Sequence, residues 1–272
     1  MTRHNDPKKV REFYDFVSPF FQSFWGEHLH HGYWIHGNES RQAAQIQLIE
    51  HLAECARIAS ESEILDIGCG IGGSSIYLAR QYQARVTGIT ISPIQVQMAT
   101  QAAAENGANA KFLLMNAEAM KFDQRFDVIW SVESVSHYQN IPRFFASAAK
   151  LLKPNGTLAM IDWFRKDGLD QKTYRKHILP IEKGMLVELS TMQDYQRMMK
   201  ACGLEIAASE VLNRYCHKTW DVGLDIIKNK VLWKLAAKNG VLFVNFLRAF
   251  RAMKAGFASG DFVYGLIVAR LV

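Results

Sequence analysis

Proline is scarce in this chain of 272 residues, with 6 in all, and charged side chains make up only 21% of it. That composition leaves no material for a proline-rich linker or a highly charged disordered tract, so disorder is expected only in the first few residues. Cysteine is scarce as well. Cys55, Cys69, Cys202 and Cys216 are scattered without a C-x-x-C pair, which argues against a disulfide framework and against a thiolate zinc site. Long apolar runs are missing: "MTRHNDPKKVREF" holds no signal-like apolar region, and no stretch is long enough to span a bilayer. A cytoplasmic protein is therefore expected. No internal repeat occurs, and neither an N/D-P-P-Y/F motif nor a basic-aromatic tract points to nucleic acid.

What is present is an ordinary globular composition, 49% apolar, long enough for one large α/β domain with insertions. Residues 7–24 read as a helix, with Asp6 as N-cap and Val10, Phe13, Tyr14 and Val17 at helical spacing, and a second helix is expected over 41–59. From Glu63 a strand–turn–helix pattern repeats, with strands expected at 63–67, 84–90, 111–115, 126–131 and 156–163 and two late ones at 204–212 and 262–272. The fold class is α/β, a doubly wound, mainly parallel seven-stranded sheet. N-terminal helices (1–60) are expected to close over a core at 61–163, with 204–212 and 261–272 completing the sheet. Segments 164–203 and 213–260 break the alternation and are rich in large apolar residues, so they read as a helical cap over the carboxyl edge of the sheet.

Net charge is +6, and residues 213–254 hold nine Lys/Arg against two Asp, leaving the remainder nearly neutral. Within that segment Lys230, Lys234 and Lys238 form one helical stripe and Leu224, Ile227, Val231 and Leu235 another. This is either a solvated face on a packed helix or a surface for peripheral contact with an anionic membrane.

The turn "LDIGCGIGGSS" (65–75) fits G-x-G-x-x-G at Gly68, Gly70 and Gly73, the spacing of a nucleotide-like ligand against a strand-to-helix turn. A dinucleotide site would place an acid about 20 residues on, but the second strand ends in Thr90. Asp66, two residues before Gly68, would repel a pyrophosphate and attract an amino group or another cation. S-adenosylmethionine has an ammonium and a sulfonium and no phosphate.

"LDIGCGIGG", followed by "GITISPIQ", "WSVES", "LLKPNG" and "MIDW", resembles the class I S-adenosylmethionine-dependent methyltransferases with their Rossmann-like core. More narrowly, "WGEHLHHGYW", "QAAQIQLIEHL" and "SVESVSH" are similar to the γ-tocopherol methyltransferase group, itself related to sterol and natural-product methyltransferases. The likeness is dense over residues 10–165 and thin beyond. It implies S-adenosyl-L-methionine as cofactor, S-adenosyl-L-homocysteine as product and a small apolar acceptor, aromatic or prenylated, methylated on carbon or oxygen. An alkaloid, sugar or polyketide methylated on nitrogen or oxygen is the alternative. The resemblance further implies that Gly68, Cys69, Gly70 and Gly72 face the methionine part and that Asp66 fixes its ammonium. Thr90 then falls at the ribose, with Gln95 nearby and Ile91 beside the adenine. Asn116, where the family usually has Asp, takes the adenine amino group beside Ala117, Ser131 joins the set from the fourth strand, and Tyr14 and Trp34 close over the cofactor.

Methyl transfer needs alignment and dryness more than acid–base chemistry, but a hydroxyl or phenol-activated carbon gains from a base. His137 stands just past the fourth strand as that candidate, with Glu133 able to orient it and Asp162 at the end of the fifth strand. Each has a plainer reading as a capping or hydrogen-bonded structural residue. The H-x-H-H cluster His28, His30 and His31 has no completing carboxylate or thiolate motif, so no metal is expected and the loop reads as pocket lining. Rival readings are a nicotinamide-dependent oxidoreductase and a cofactor-binding scaffold without transferase activity.

Overall fold

A computed structural model describes residues 5–230, 232–233 and 241–272, with side chains of the last helix described from residue 244. Seven strands form one sheet in the order β3-β2-β1-β4-β5-β7-β6. They are β1 (Glu63–Ile67), β2 (Arg85–Thr90), β3 (Ala110–Leu114), β4 (Phe126–Val132), β5 (Leu152–Arg165), β6 (Leu204–Val211) and β7 (Phe262–Leu271). The first five run parallel, and β7 lies antiparallel between β5 and β6. β1 (EILDI) and β4 (FDVIWSV) are mainly apolar and largely buried on both faces, as strands inside a parallel sheet are, whereas edge strand β6 alternates between buried or half-buried and more exposed positions.

The helices are α1 (Pro7–Trp25), α2 (Arg41–Ala56), α3 (Gly73–Gln81), α4 (Pro93–Glu105) and α5 (Ile141–Leu151). Asp6 caps α1, Ser40 caps α2 and Ser92 caps α4, each accepting from a backbone N–H of the first turn. On one face of the sheet, Leu48, Ile49 and Leu52 of α2 join Ile64, Trp130 and Ile161. On the other, Phe144 and Phe145 of α5 join Ile67, Ile129 and Met160. α2 ends earlier than its periodicity suggests because Arg57 adopts a left-handed conformation, φ 55°.

The expected cap divides. Helix Leu179–Met185 packs on helix Val241–Ser259, which also meets helix Lys218–Ile226. Together these cover the carboxyl edges of the strands, where Met185, Trp220 and Phe250 reach the central cavity. Helix Met192–Lys200, placed in the cap by the sequence reading, instead flanks the sheet: Tyr195 and Met199 are fully buried with Phe144, Phe145 and Leu204. Its apolar side matches α5 and β6, and local periodicity does not reveal that partner. Val231, Lys234, Leu235 and Lys238 lie outside the described residues. Of the stripes' other members, Ile227 is buried in the core and Lys230 is exposed. No helix among the described residues is long and apolar enough to cross a membrane.

Candidate active site

A cavity with about 200 Å³ of water-accessible space opens where β1, β2 and β4 end and α1 crosses them. At one end lies the glycine turn. Gly68 and Gly70 take φ +76° and +55°, left-handed values that bring backbone rather than side chains to the cavity wall. Asp66 is almost fully buried there, accepts a 2.6 Å bond from Ser75 Oγ, and is pushed up to about 7 by burial. It therefore sits ready to ionise against an incoming cation. Cys69 also lines this end, its thiol pushed well up by burial.

Thr90, Ile91 and Gln95 line the adjoining wall. Thr90 Oγ1 donates to Gln95 Oε1 at 2.6 Å, and Gln95 Nε2 donates to Ser18 Oγ of α1 at 3.0 Å. Their polar atoms thus fasten α1 down over the sheet edge. Asn116 and Ala117 line the wall beyond β3. The Asn116 carbonyl oxygen accepts the Glu118 N–H at 2.8 Å and has a second lone pair to offer.

Three residues expected at the cofactor stand elsewhere. Trp34 is buried away from the cavity, with its indole N–H on the Glu39 carbonyl at 3.1 Å. Gly72 faces α4, where an added Cβ would lie 2.9 Å from both Ala99 and Phe112. Ser131 turns to the sheet and donates to the Ile67 carbonyl at 3.1 Å. Tyr14 does line the cavity, from the buried side of α1.

His137 also lines it, on a short helical turn after β4. Its Nδ1 faces the Leu186 carbonyl at 3.1 Å and so donates the ring proton, which leaves Nε2 to accept the Tyr14 hydroxyl at 3.0 Å. Burial lowers His137 to about 4 and raises Tyr14, so at neutral pH the pair is imidazole and phenol. Glu133 does not orient His137. It sits at φ 53°, an uncommon conformation for a side-chain-bearing residue, and accepts from His31 N–H (2.8 Å), His31 Nδ1 (2.7 Å) and the Tyr264 hydroxyl (2.7 Å). Burial alone would raise Glu133, but the His31 imidazole, by charge and hydrogen bonding, holds it below the usual carboxylate range. Asp162 does not reach the cavity: its carboxylate accepts from Ser136 N, Ser136 Oγ and Trp163 N at 2.7–2.9 Å, and burial pushes it up to about 7. It pins the turn carrying His137, which is the capping role rather than a substrate contact.

The loop bearing His28, His30 and His31 lines the far wall, tied to α2 by Gln45 Nε2, which donates to the carbonyls of His28 and His30 at 2.5 and 3.0 Å. Burial lowers His28 to about 3 and lowers His30 also. The three imidazoles form no metal-ligand set among the described residues. Trp163, Trp220 and Tyr138 line the cavity too, and the sequence reading missed them. Their spacing falls inside ordinary core patterns, so only tertiary placement separates them from packing residues.

Fold and cavity together define a class I S-adenosylmethionine-dependent methyltransferase, with S-adenosylmethionine as its cofactor. The chain belongs to the mycolic acid cyclopropane synthetase family, whose sequence profile matches residues 1–259. It is 31% identical over 220 residues to the 27-O-demethylrifamycin SV methyltransferase of Amycolatopsis mediterranei (strain S699), covering 79% of this chain and 80% of that one. To the probable chloroplastic tocopherol O-methyltransferase of Oryza sativa subsp. japonica it is 28% identical over 242 residues, covering 81% of this chain and 65% of the plant protein. Among solved structures, mycolic acid cyclopropane synthase CmaA1 complexed with SAH and CTAB matches with a TM-score of 0.86 at 21% identity, over 97% of each chain. The cyclase SpnF matches with a TM-score of 0.85 at 24% identity, over 97% of this chain and 96% of that one. Likeness at these identities establishes the fold.

Proposed function

We propose that this enzyme transfers a methyl group to a small apolar acceptor, aromatic or prenylated, at a ring carbon or a hydroxyl oxygen. The observation that carries the reading is that one cavity joins the glycine turn at Asp66–Gly70 to an aromatic and aliphatic wall that includes Trp25, Trp220, Phe246, Phe250 and Met253. The relatives named for rifamycin and tocopherol methylation support an acceptor of that character.

The residues present suit the cofactor. A buried carboxylate, Asp66, would partner the ammonium, Gly68, Cys69 and Gly70 would offer backbone to the methionine part, and Thr90, Ile91, Asn116 and Ala117, which line the same cavity, would hold the ribose and adenine. S-adenosylmethionine supplies an activated methyl and leaves as S-adenosylhomocysteine. The chain's own part is to exclude water with its apolar wall, hold the acceptor in line, and take a proton where the acceptor has one to lose. The hydrogen-bonded Tyr14–His137 pair is placed for that last task. As the acceptor hydroxyl gives its proton to Tyr14 Oη, the phenolic proton passes to His137 Nε2, and the Leu186 carbonyl holds the ring in the receptive tautomer.

The test is a mass-spectrometric screen of the purified protein with S-adenosylmethionine against tocopherols, prenylated and simple phenols, sterols, glycosylated polyketides and amines. A methyl gained by a phenolic or prenylated acceptor is expected, with Tyr14→Phe and His137→Ala each slowing hydroxyl methylation by about 10²–10⁴-fold while cofactor binding persists. A methyl gained only by amines or sugars replaces the acceptor class. Silence across the panel with cofactor bound favours a non-transferring scaffold.

A further inference from the structure

A second group of chemistry-bearing side chains lies outside the cavity, where α2 passes the edge strand β6. His51 and Cys55 are four residues apart on α2 and share one face, and β6 presents Glu210 to them. His51 Nε2 is 2.8 Å from Glu210 Oε2, and Cys55 Sγ is 3.8 Å from Glu210 Oε1. All three potential ligand atoms lie within 4.8 Å of one another, and all three residues are half-buried. The His51 ring is already oriented: Tyr33 stacks on it with centroids 4.8 Å apart and planes 9° from parallel, and Tyr215 packs on Tyr33 at 4.6 Å.

We propose that His51, Cys55 and Glu210 bind a zinc ion that fastens α2 to the edge of the sheet. One imidazole nitrogen, one sulfur and one carboxylate oxygen form a borderline-soft donor set, which suits zinc and disfavours magnesium and calcium, whose ligands are oxygen throughout. Bond lengths of about 2.0–2.3 Å place tetrahedral zinc ligands roughly 3.3–3.8 Å apart. The observed separations bracket that range, so side-chain adjustments of about an ångström close the site. Charge balances as well. Zinc would displace the Cys55 thiol proton to solvent, and the resulting thiolate with the Glu210 carboxylate would offset the dication. The half-exposed side leaves a fourth position for water. None of the three lines the cavity, so the ion's work is to cross-link α2 to a strand whose Glu210 is 155 residues beyond Cys55.

The full chain, stripped with a chelator, is titrated with Zn²⁺ and separately with Co²⁺ as a spectroscopic stand-in. One equivalent of either is expected, with tetrahedral cobalt bands, a sulfur-to-cobalt charge-transfer band and a melting temperature raised by zinc. Cys55→Ser should abolish the charge-transfer band, and His51→Gln or Glu210→Gln should weaken binding, while Cys202→Ser and Cys216→Ser leave the band intact. In the unmutated chain, zinc should shield Cys55 from alkylation, read by peptide mapping, which keeps the test independent of how the variants fold. A wild-type protein without the band, a band surviving in Cys55→Ser, or alkylation of Cys55 unaffected by zinc overturns the site and leaves a hydrogen-bonded cluster.

Discussion

Two glycines flanking Cys69 in the turn after β1 are under different constraints. An added Cβ at Gly68 would fall 1.8 Å from Ser134 Oγ, on a backbone at φ +76°, so both conformation and space forbid it. At Gly70 nothing lies within 4 Å, and only the left-handed φ of +55° resists a side chain. Gly68→Ala should therefore cost several kcal/mol of stability, as overpacking with backbone strain does. Gly70→Ala should cost only about 1–2 kcal/mol yet weaken S-adenosylmethionine binding, because its methyl enters the space proposed for the methionine part. Paired calorimetric titration and denaturant unfolding of the two variants check this. Equal losses of stability would mean that the two positions are not distinguished by Ser134. At this scale the sequence was legible where function is local: the Asp66–Gly70 turn is contiguous, and its chemistry follows from spacing. The His31–Glu133–Tyr264 cluster joins residues 102 and 131 positions apart, and no periodicity announces such a pairing. The absence of a C-x-x-C pair likewise hid the thiol of Cys55, whose neighbours are one helical turn and 155 residues away.

Elements were legible wherever burial on both faces left a mainly apolar run bounded by turn residues. β1 has the bounds expected of it, β4 is one residue longer, and β5 extends past its expected 156–163 at both ends because it continues through the "KPNG" turn and pairs with β7 up to Arg165. What the elements touch was less legible, as helix Met192–Lys200 shows. Its Tyr195 is fully buried, edge-on to Phe145 at 5.4 Å and Phe164 at 5.0 Å, and its hydroxyl has no hydrogen-bond partner among the described residues. A buried hydroxyl without a partner opposes folding, while the ring contacts favour it. Tyr195→Phe keeps the ring and removes the hydroxyl, so it should stabilise the protein by about 1 kcal/mol. The readout is a higher denaturant midpoint at unchanged slope. A lower midpoint would reveal a bond to that oxygen.

Across the whole molecule, buried titratable groups pull the pH dependence of stability in two directions. Burial lowers His28 to about 3, His137 to about 4, and His30 as well. As pH falls below about 6.5 the unfolded chain takes up protons that the folded chain refuses, so these histidines stabilise the fold at neutral pH and lose that effect toward pH 3–4. Asp66 and Asp162, each raised to about 7 by burial, act oppositely: the folded chain retains protons between their unfolded value of 3.8 and 7, so their contribution shrinks as pH rises. Asp66→Asn removes one of the groups that favour the fold as pH falls, so between pH 7 and pH 5 its melting temperature, without cofactor, should change in the downward direction relative to the unmutated protein. A variant whose melting temperature tracks that of the unmutated protein across this range would contradict the burial of Asp66.

The position of β7 has a consequence for how the protein is made. Among the described residues β6 hydrogen-bonds to no strand but β7, and β5 gains its second neighbour only from β7. While the chain emerges from the ribosome, residues 63–165 can form a five-stranded parallel sheet whose β5 edge stays open until residues 262–271 arrive, with the cap helices synthesised in between. An open edge flanked by a waiting apolar surface is where nascent chains pair wrongly. The last insertion, between two strands already made, both finishes the sheet and closes the period in which the chain needs protection.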